Sequence, residues 1–351
     1  HFGGGTPTYL DKEQLGALMD HLRASFNFDE SDEREFSIEV DPRTVDAERI
    51  QELWDLGFNR LSLGIQDFDE RVQQAVNRAQ SPEEVRALVD AARNAGFGSI
   101  SFDLIYGLPH QTVESFDKTL DIVIDMKPDR LAVYNYAHLP QRFKGQRMIN
   151  AEDIPLPETK LDLLHHTIDK LCEVGYIYIG MDHFALPEDE LVLARQDGTL
   201  QRNFQGYSTH RQCDLIALGV SGIGGIGNMF AQNSVSTIEY EEIIESGELP
   251  IVKGLLVDDD DLVRAAVIQE LMCYDSLDFD AFGEKHGIDF RNYFASEVKQ
   301  LGVLQDDGLI ELSDNSITIT PEGRLLLRNI AMTFDRYIDL EENESRFSRA
   351  I

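Results

Sequence analysis

The sequence is poor in cysteine, in basic residues and in long apolar runs, and each shortage excludes a class of protein. It contains 3 cysteines, Cys172, Cys213 and Cys273, so neither a disulfide framework nor a C-x-x-C metal site is predicted. This cysteine usage favours a reducing compartment and predicts a cytoplasmic protein. With 31 Lys and Arg against 64 Asp and Glu, the net charge of -33 argues against nonspecific nucleic-acid binding. No run of about 18 apolar residues is present, so no membrane span is predicted.

The remaining composition is that of a folded protein, because 42% of the residues are hydrophobic and 19 are phenylalanine. Strand and helix patterns alternate about five times up to residue 179, which predicts parallel strands joined by crossover helices. No dinucleotide-binding fingerprint follows the first strand, which disfavours a doubly wound sheet. The sequence therefore predicts an α/β fold, a full or partial (β/α) barrel with its functional groups at the carboxyl ends of the strands.

The pattern changes beyond about residue 236. Helical patterns are followed by a hairpin over residues 308–319, and Thr320-Pro321 begins a final helix. This order is typical of a winged helix, but the hairpin is acidic, so we interpret it as a packing module and not as a DNA-binding wing. We predict a barrel over residues 1–235 and a mainly helical carboxyl-terminal domain with a β-hairpin over residues 236–351.

Glycines and polar residues follow several of the predicted strands. A loop over residues 3–6 follows the first strand, Glu39 ends the next, Gln66 follows Ile65, and Asp103 lies near the end of a later one. Because parallel strands end at one edge of a sheet, these groups are expected to converge on one mouth. Glycine lets a ligand approach the backbone closely, and no G-K-[ST] sequence follows, so an amino acid or nucleoside is a better candidate ligand than a P-loop phosphate.

Two other stretches are not interpreted as ligand-binding sites. The sequence from Gly222 to Gly227 lacks a strand before it and a helix after it, so we interpret it as a tight apolar turn and not as a dinucleotide site. The chain begins at His1-Phe2 as a strand entered midway, and we expect residues to be missing before it.

Several motifs together resemble radical S-adenosylmethionine enzymes of porphyrin metabolism. Those of the predicted barrel span residues 3–8, 37–42, 63–68, 77–78 and 103–109. Later motifs at residues 136–140, 180–185 and 203–207, with the segment 324–338, narrow the resemblance to the oxygen-independent coproporphyrinogen III oxidase family. The resemblance covers essentially the whole chain.

The resemblance implies a reaction and its cofactors. A [4Fe-4S] cluster reduces S-adenosylmethionine to methionine and a 5'-deoxyadenosyl radical, which removes a hydrogen from a propionate of coproporphyrinogen III. Loss of carbon dioxide and of an electron leaves a vinyl group, and two such reactions give protoporphyrinogen IX. The family's C-x-x-x-C-x-x-C cluster motif precedes the glycine loop and is absent here, so no metal ligand is assigned and the chain alone is expected to be inactive.

The resemblance also implies that two S-adenosylmethionine molecules bind. Residues matching contacts of the cluster-bound molecule are Gly4, Glu39 and Ile223. Residues matching contacts of the second molecule are Gly5, Thr6, Gln66, Arg78, Asp103 and Ala137. Phe204 and Gln205 match residues needed for activity. The chemistry agrees, since arginine pairs with a carboxylate and Glu or Asp accepts from an ammonium or ribose hydroxyls.

The substrate carries four carboxylates, so local basic residues must offset the repulsion of an acidic protein. The candidates are Arg142, Lys144, Arg147, Arg195, Arg202 and Arg211. The electron donor and acceptor are partners that the sequence does not identify. Two alternatives stay open: a haem-binding chaperone on the same scaffold, and an unrelated barrel enzyme using Glu39, Asp103 and His183 in acid/base catalysis.

Overall fold

The computed structural model describes residues 1–29, 31, 33–210 and 213–338, so Arg211 lies outside the described residues. The chain forms two compact units, one ending at Val192 and one beginning at Leu193. The division at residues 235 and 236 that the sequence suggests stays a prediction. Among the described residues, no helix has both the length and the apolar character needed to cross a membrane.

The first unit is built on an open six-stranded sheet with the order β1-β2-β3-β4-β6-β5. Its strands are β1 (Ser37–Val40), β2 (Arg60–Gln66), β3 (Ser99–Tyr106), β4 (Arg130–Asn135), β5 (Ile177–Gly180) and β6 (His183–Ala185). Strands β1 to β4 are mutually parallel, whereas β6 runs antiparallel to both β4 and β5. Strand β5 is therefore parallel to β4, and its carboxyl end lies at the same edge of the sheet. Phe2 adds a parallel bridge to Ile38 beside β1.

Helices connect these strands in the order that the sequence predicts. They are α1 (Lys12–Ser25), α2 (Ala47–Asp55), α3 (Glu70–Ala75), α4 (Pro82–Ala95), α5 (Val113–Met126) and α6 (Pro157–Glu173). A further helix, α7 (Glu190–Gln196), follows β6. Local chemistry sets their ends: Asp11 caps α1, Ser81 and Thr112 form capping boxes on α4 and α5, and Gly96 ends α4 in the left-handed conformation. The predicted α/β partial barrel is confirmed.

The described residues of the second unit form three small sheets and several helices. Its strands are β7 (Gln201–Asn203), β8 (Gly206–Ser208), β9 (Ile223–Ile226), β10 (Met229–Asn233), β11 (Ile251–Leu256), β12 (Ser276–Asp278), β13 (Ile310–Leu312) and β14 (Ser316–Ile319). Its helices are α8 (Thr237–Glu245), α9 (Asp259–Cys273), α10 (Phe279–His286), α11 (Phe290–Tyr293), α12 (Ala295–Asp306), α13 (Pro321–Leu325) and α14 (Leu327–Met332). The sheet β12-β14-β13 with its helices is the predicted winged-helix-like part.

Aromatic packing and ion pairs hold this carboxyl-terminal part together. The rings of Phe290, Phe294 and Phe334 are buried and contact one another. The acidic run that begins α9 does not simply face water, as acidic runs usually do: Asp258 caps the helix, and Arg336 pairs with it at 2.8 Å. Asp261, from the same run, is buried and also pairs with Arg336, at 3.0 Å.

The interpretation of residues 222–227 as a tight turn is wrong, because residues 223–226 form strand β9. A side chain at Gly224 would meet the carbonyl of Leu215 at 2.8 Å, and one at Gly225 would meet the ring of Phe230 at 3.2 Å. The glycines therefore allow neighbouring segments to approach the strand on both of its faces.

Candidate functional site

A polar cavity of about 430 Å³ lies at the carboxyl ends of β1, β2 and β3 in the first unit. Six of the residues that the resemblance singles out line it: Gly5, Thr6, Glu39, Gln66, Arg78 and Asp103. The N–H of Gly4 donates a hydrogen bond of 3.1 Å to Glu39 Oε2 beside it. Ala137 does not line this cavity; it lies beyond the end of β4, where its carbonyl accepts a 3.0 Å hydrogen bond from Gln146.

The alternation of β2 explains how one strand supplies several of these groups. Leu61, Leu63 and Ile65 are buried in the core, so the intervening positions face the other side of the sheet. That side carries Ser62, Gly64 and Gln66, all of which line the cavity. A Cβ at residue 64 would lie 3.0 Å from Gln66 Nε2, so the glycine leaves room for the Gln66 side chain in its present position.

Arg78 is held by a carboxylate that a second arginine fixes in place. Its Nη2 lies 3.0 Å from Asp41 Oδ2, and Arg43 donates to the same carboxylate from Nε at 2.9 Å and from Nη2 at 2.6 Å. Burial alone would raise the pKa of Asp41, but the hydrogen bonds from Arg43 and the charge of Arg78 lower it below its ordinary value. Asp41 therefore stays ionised and orients Arg78.

The guanidinium of Arg78 still has capacity for a ligand. Its Nε is buried and makes no hydrogen bond within the described structure. A buried donor without an acceptor is costly, and an anion arriving in the cavity would remove that cost. Arg78 is thus an anion-binding group that the neighbouring chain has already oriented.

Asp103 is the most deeply placed acid of the cavity. Burial and, to a smaller extent, the charge of Glu39 raise the pKa of its carboxyl to about 6, although a 3.0 Å hydrogen bond from Ser62 opposes this rise. Ligand cations and hydroxyl donors should therefore meet an ionised Asp103 only above about pH 6.

We expect the affinity of this cavity for a cationic ligand such as S-adenosylmethionine to rise about 10-fold from pH 5 to pH 7. The reason is that only about a tenth of a carboxyl with a pKa near 6 is ionised one pH unit below it. Asp103→Asn should flatten the profile, whereas Glu48→Gln, at an exposed position of α2, should leave it unchanged. Calorimetric titration across this range decides the question, and a pH-dependent Asp103→Asn variant would contradict it.

Gln66 adopts a strained backbone conformation at the rim of the cavity. Its φ is 67°, and Asp67 N–H donates to the Ile65 carbonyl at 2.9 Å, which makes Gln66 the central residue of a γ-turn. The buried Asp67 anchors this turn, since its carboxylate accepts 2.6 Å hydrogen bonds from both Thr119 Oγ1 and Gln111 Nε2. Burial raises the pKa of Asp67, although these hydrogen bonds oppose the shift.

The remaining candidate residues lie in the second unit. Phe204 is 61% exposed, and its ring meets that of Phe230 edge-on at 5.9 Å between centroids. The N–H of Gln205 donates to Asn203 Oδ1 at 2.8 Å, so the two residues form a tight turn between β7 and β8. Ile223 begins β9 opposite Gln232 of β10.

Four further polar residues line the cavity that the sequence did not assign to the site: Asp41, Arg43, Ser62 and Asn77. Asp41 lies in the motif at residues 37–42 that carries the resemblance, but the sequence indicates no role for it in the site. The available signal for Ser62 was the two-residue period of β2, which places it on the same face as Gln66. No local pattern indicates Arg43, because its role depends on Asp41 and Arg78 meeting in space.

The cavity fits S-adenosylmethionine, because it pairs an oriented guanidinium for the carboxylate with acidic acceptors for the ammonium and ribose hydroxyls. The cysteines do not offer a comparable site for an iron–sulfur cluster. Cys172 is exposed on α6, Cys213 is exposed, and Cys273 is buried at the end of α9. Within the described parts of the chain, no three His, Cys, Asp or Glu side chains are grouped to hold a metal ion.

Comparison with known proteins matches these observations. The radical SAM superfamily profile matches residues 1–123, and the profile described as HemN C-terminal domain matches residues 257–326. A solved structure described as coproporphyrinogen III oxidase (HemN) from Escherichia coli, a radical SAM enzyme, superposes with a TM-score of 0.92 at 47% identity. The match covers 96% of this chain and 77% of that one. The fold and the cavity thus define a radical SAM enzyme.

Sequence similarity to curated proteins over the whole length of the chain identifies one family within this class. The oxygen-independent coproporphyrinogen III oxidase of Pseudomonas aeruginosa is 54% identical over 351 residues, covering 100% of this chain and 76% of the relative. The enzyme of the same name from Escherichia coli K12 is 46% identical over the same span. The chain belongs to the oxygen-independent coproporphyrinogen III oxidase family.

Proposed function

We propose that the protein catalyses the oxygen-independent decarboxylation of two propionates of coproporphyrinogen III to vinyl groups, yielding protoporphyrinogen IX. The observation that carries this proposal is the 54% identity over all 351 residues to an enzyme of that name, spanning both compact units. Each propionate loses one hydrogen atom, one carbon dioxide molecule and one electron. The reaction belongs to haem biosynthesis, and we place it in the cytoplasm.

S-adenosylmethionine, when bound, supplies the 5'-deoxyadenosyl radical that removes the hydrogen atom. We propose that Arg78 binds the methionine carboxylate of one molecule, oriented by Asp41. The Asp103 carboxylate accepts hydrogen bonds from its polar groups, and the Gln66 amide can both donate and accept them. The backbone at Gly5 leaves room for the ligand to approach closely, since nothing lies within 4 Å of a Cβ placed there.

We further propose that two S-adenosylmethionine molecules bind. One contacts Gly4, Glu39 and Ile223, and the other contacts Gly5, Thr6, Gln66, Arg78, Asp103 and Ala137. The hydrogen bond from the N–H of Gly4 to Glu39 supports the assignment of these two residues to the same molecule. Phe204 and Gln205 are the residues that we propose to be needed for activity on the substrate. A [4Fe-4S] cluster serves as the second cofactor, with no ligand assigned to it among these residues, and an electron donor and an acceptor complete the partners.

A basic and apolar loop after β4 supports a role in substrate capture. Arg142, Lys144 and Arg147 are exposed there, and so are Phe143 and Met148, which are 56% and 90% exposed. Arg147 donates to the Pro140 carbonyl at 3.0 Å, which holds the loop together. A tetrapyrrole with carboxylate arms matches this combination of cations and apolar side chains.

The salt dependence of the Michaelis constant tests this loop. We expect the constant to fall as salt first screens the overall charge of -33, and then to climb as salt screens the local attraction. Replacing both Arg142 and Arg147 by Gln should abolish the climb and leave S-adenosylmethionine affinity unchanged. An identical salt profile in the double variant would place the capture site elsewhere.

The function itself is tested with the polypeptide that the natural gene encodes, reconstituted anaerobically with iron and sulfide. Incubation with coproporphyrinogen III, S-adenosylmethionine and a reductant should give a product whose mass is lower by two carbon dioxide molecules and four hydrogen atoms. Mass spectrometry of the oxidised porphyrins measures this. Stable haem binding without turnover would instead identify a haem chaperone.

A further inference from the structure

A second cavity, of about 260 Å³, lies wholly within the second unit. Its walls include apolar side chains of α9 and α14, among them Met272 and Met332, and two arginines, Arg202 and Arg328. This combination of hydrocarbon walls and cationic groups is typical of a site for an anion that carries an alkyl chain.

Arg202 is fixed in place without being neutralised. Its backbone N–H donates to Gln269 Oε1 at 3.0 Å, and Gln269 Nε2 donates back to the carbonyl of Arg202, which ties β7 to α9. The guanidinium carbon lies 5.6 Å from the centre of the Tyr207 ring, and the Tyr207 hydroxyl donates to the Met272 carbonyl at 2.7 Å. The side chain is therefore oriented by its surroundings before any ligand arrives.

The guanidinium of Arg202 also has an unsatisfied hydrogen-bond donor. Its Nε is buried and has no hydrogen-bond partner in the described residues. Arg328, exposed on α14, forms no ion pair within the same residues. Among the residues that the structure describes, Asp335 is the only acid lining the cavity, and its Oδ1 accepts a 2.8 Å hydrogen bond from the N–H of Tyr337.

Most arginines that the structure describes in this unit have an acidic partner, and Arg202 and Arg328 are the two that do not. Arg195 pairs with Asp275 at 2.6 Å, Arg264 with Glu297 at 2.8 Å, and Arg336 with three aspartates. A half-buried arginine without an acidic partner beside an apolar cavity is therefore better explained by a ligand anion than by the fold.

We propose that this cavity binds one carboxylate arm of the tetrapyrrole, with Arg202 and Arg328 on the carboxylate and Met272 and Met332 against the methylene groups. This assignment rests on the proposed function, because it takes the substrate class from it. A propionate fits better than inorganic phosphate, because its two methylene groups bury apolar surface against these walls and phosphate has none.

The test measures binding to the full chain of coproporphyrin III, an air-stable tetracarboxylate probe, by fluorescence titration. Arg202→Gln and Arg328→Gln should each raise its dissociation constant about 10-fold, and Arg202→Lys should have an intermediate effect. Lys299→Gln removes the same charge at an exposed position outside the cavity and should change the constant less than 2-fold. Coproporphyrin tetramethyl ester, which lacks the carboxylates, should not distinguish the variants. Unchanged S-adenosylmethionine affinity shows that each variant is folded.

The outcomes separate this site from the function. If the wild-type chain binds coproporphyrin III and both variants bind it equally well, the cavity assignment is wrong and the proposed function stands. If the wild-type chain binds S-adenosylmethionine but no coproporphyrin III, the substrate class fails and the site fails with it. If inorganic phosphate displaces the probe as effectively as succinate does at equal ionic strength, the cavity is a general anion site and the proposal is overturned.

Discussion

Arg78→Ala is expected to weaken S-adenosylmethionine binding about 30-fold. The substitution removes a charge-assisted contact worth about 2 kcal/mol and leaves the Asp41 carboxylate without one of its two cationic neighbours. Two binding events are expected in the intact protein, and the loss should fall on the second molecule, whose matched contacts include Arg78. Calorimetric titration gives both the affinity and the stoichiometry.

Arg71→Ala provides the matched control for this prediction. Arg71 lies exposed on α3, close in sequence to Arg78, and its removal subtracts the same charge without touching the cavity. Its effect on affinity should be less than 2-fold. Equal weakening of both binding events by Arg78→Ala, or no weakening at all, would contradict the assignment of this arginine.

Asp67→Ala should lower the free energy of unfolding by about 3 kcal/mol. The carboxylate accepts hydrogen bonds from Thr119, Gln111 and the N–H of Asp69. The substitution would remove the acceptor from all three donors, two of which, Thr119 and Gln111, are buried. Asp90→Ala, the same substitution at an exposed position of α4, should cost less than about 0.5 kcal/mol. Urea denaturation measures both. A loss below 1 kcal/mol for Asp67→Ala would mean that water or rearrangement replaces the network.

The sequence was sufficient to predict the elements that local chemistry determines. Strands β1 to β4, their crossover helices and the β13–β14 hairpin all have capping residues, turn glycines or a clear period. Strand β6 and the sheet β9-β10-β11 were missed. Three residues are too few to show a period, and the exposed residues of β11 alternate neither in burial nor in polarity.

The candidate site could be predicted only in part, because some of its contacts are not determined by local sequence. Residues at strand ends converge because parallel strands share an edge, and this rule brought Glu39, Gln66 and Asp103 together. The support of Arg78 by Asp41 and Arg43 depends on side chains from the turn after β1 and from the loop after α3 meeting in space. Contacts of that kind are set by tertiary packing, which no local pattern encodes.

The direction of β5 has a practical consequence for labelling. Because β5 runs parallel to β4, its carboxyl end shares the edge of the sheet that bears the cavity, and its amino end lies at the opposite edge. Helix α6 ends just before that amino end, and its last turn carries the exposed thiol of Cys172. In a Cys213→Ser background, with Cys273 buried, a maleimide dye would attach at Cys172. Such a dye would report on the first unit from the edge remote from the cavity, without entering the space that a ligand occupies.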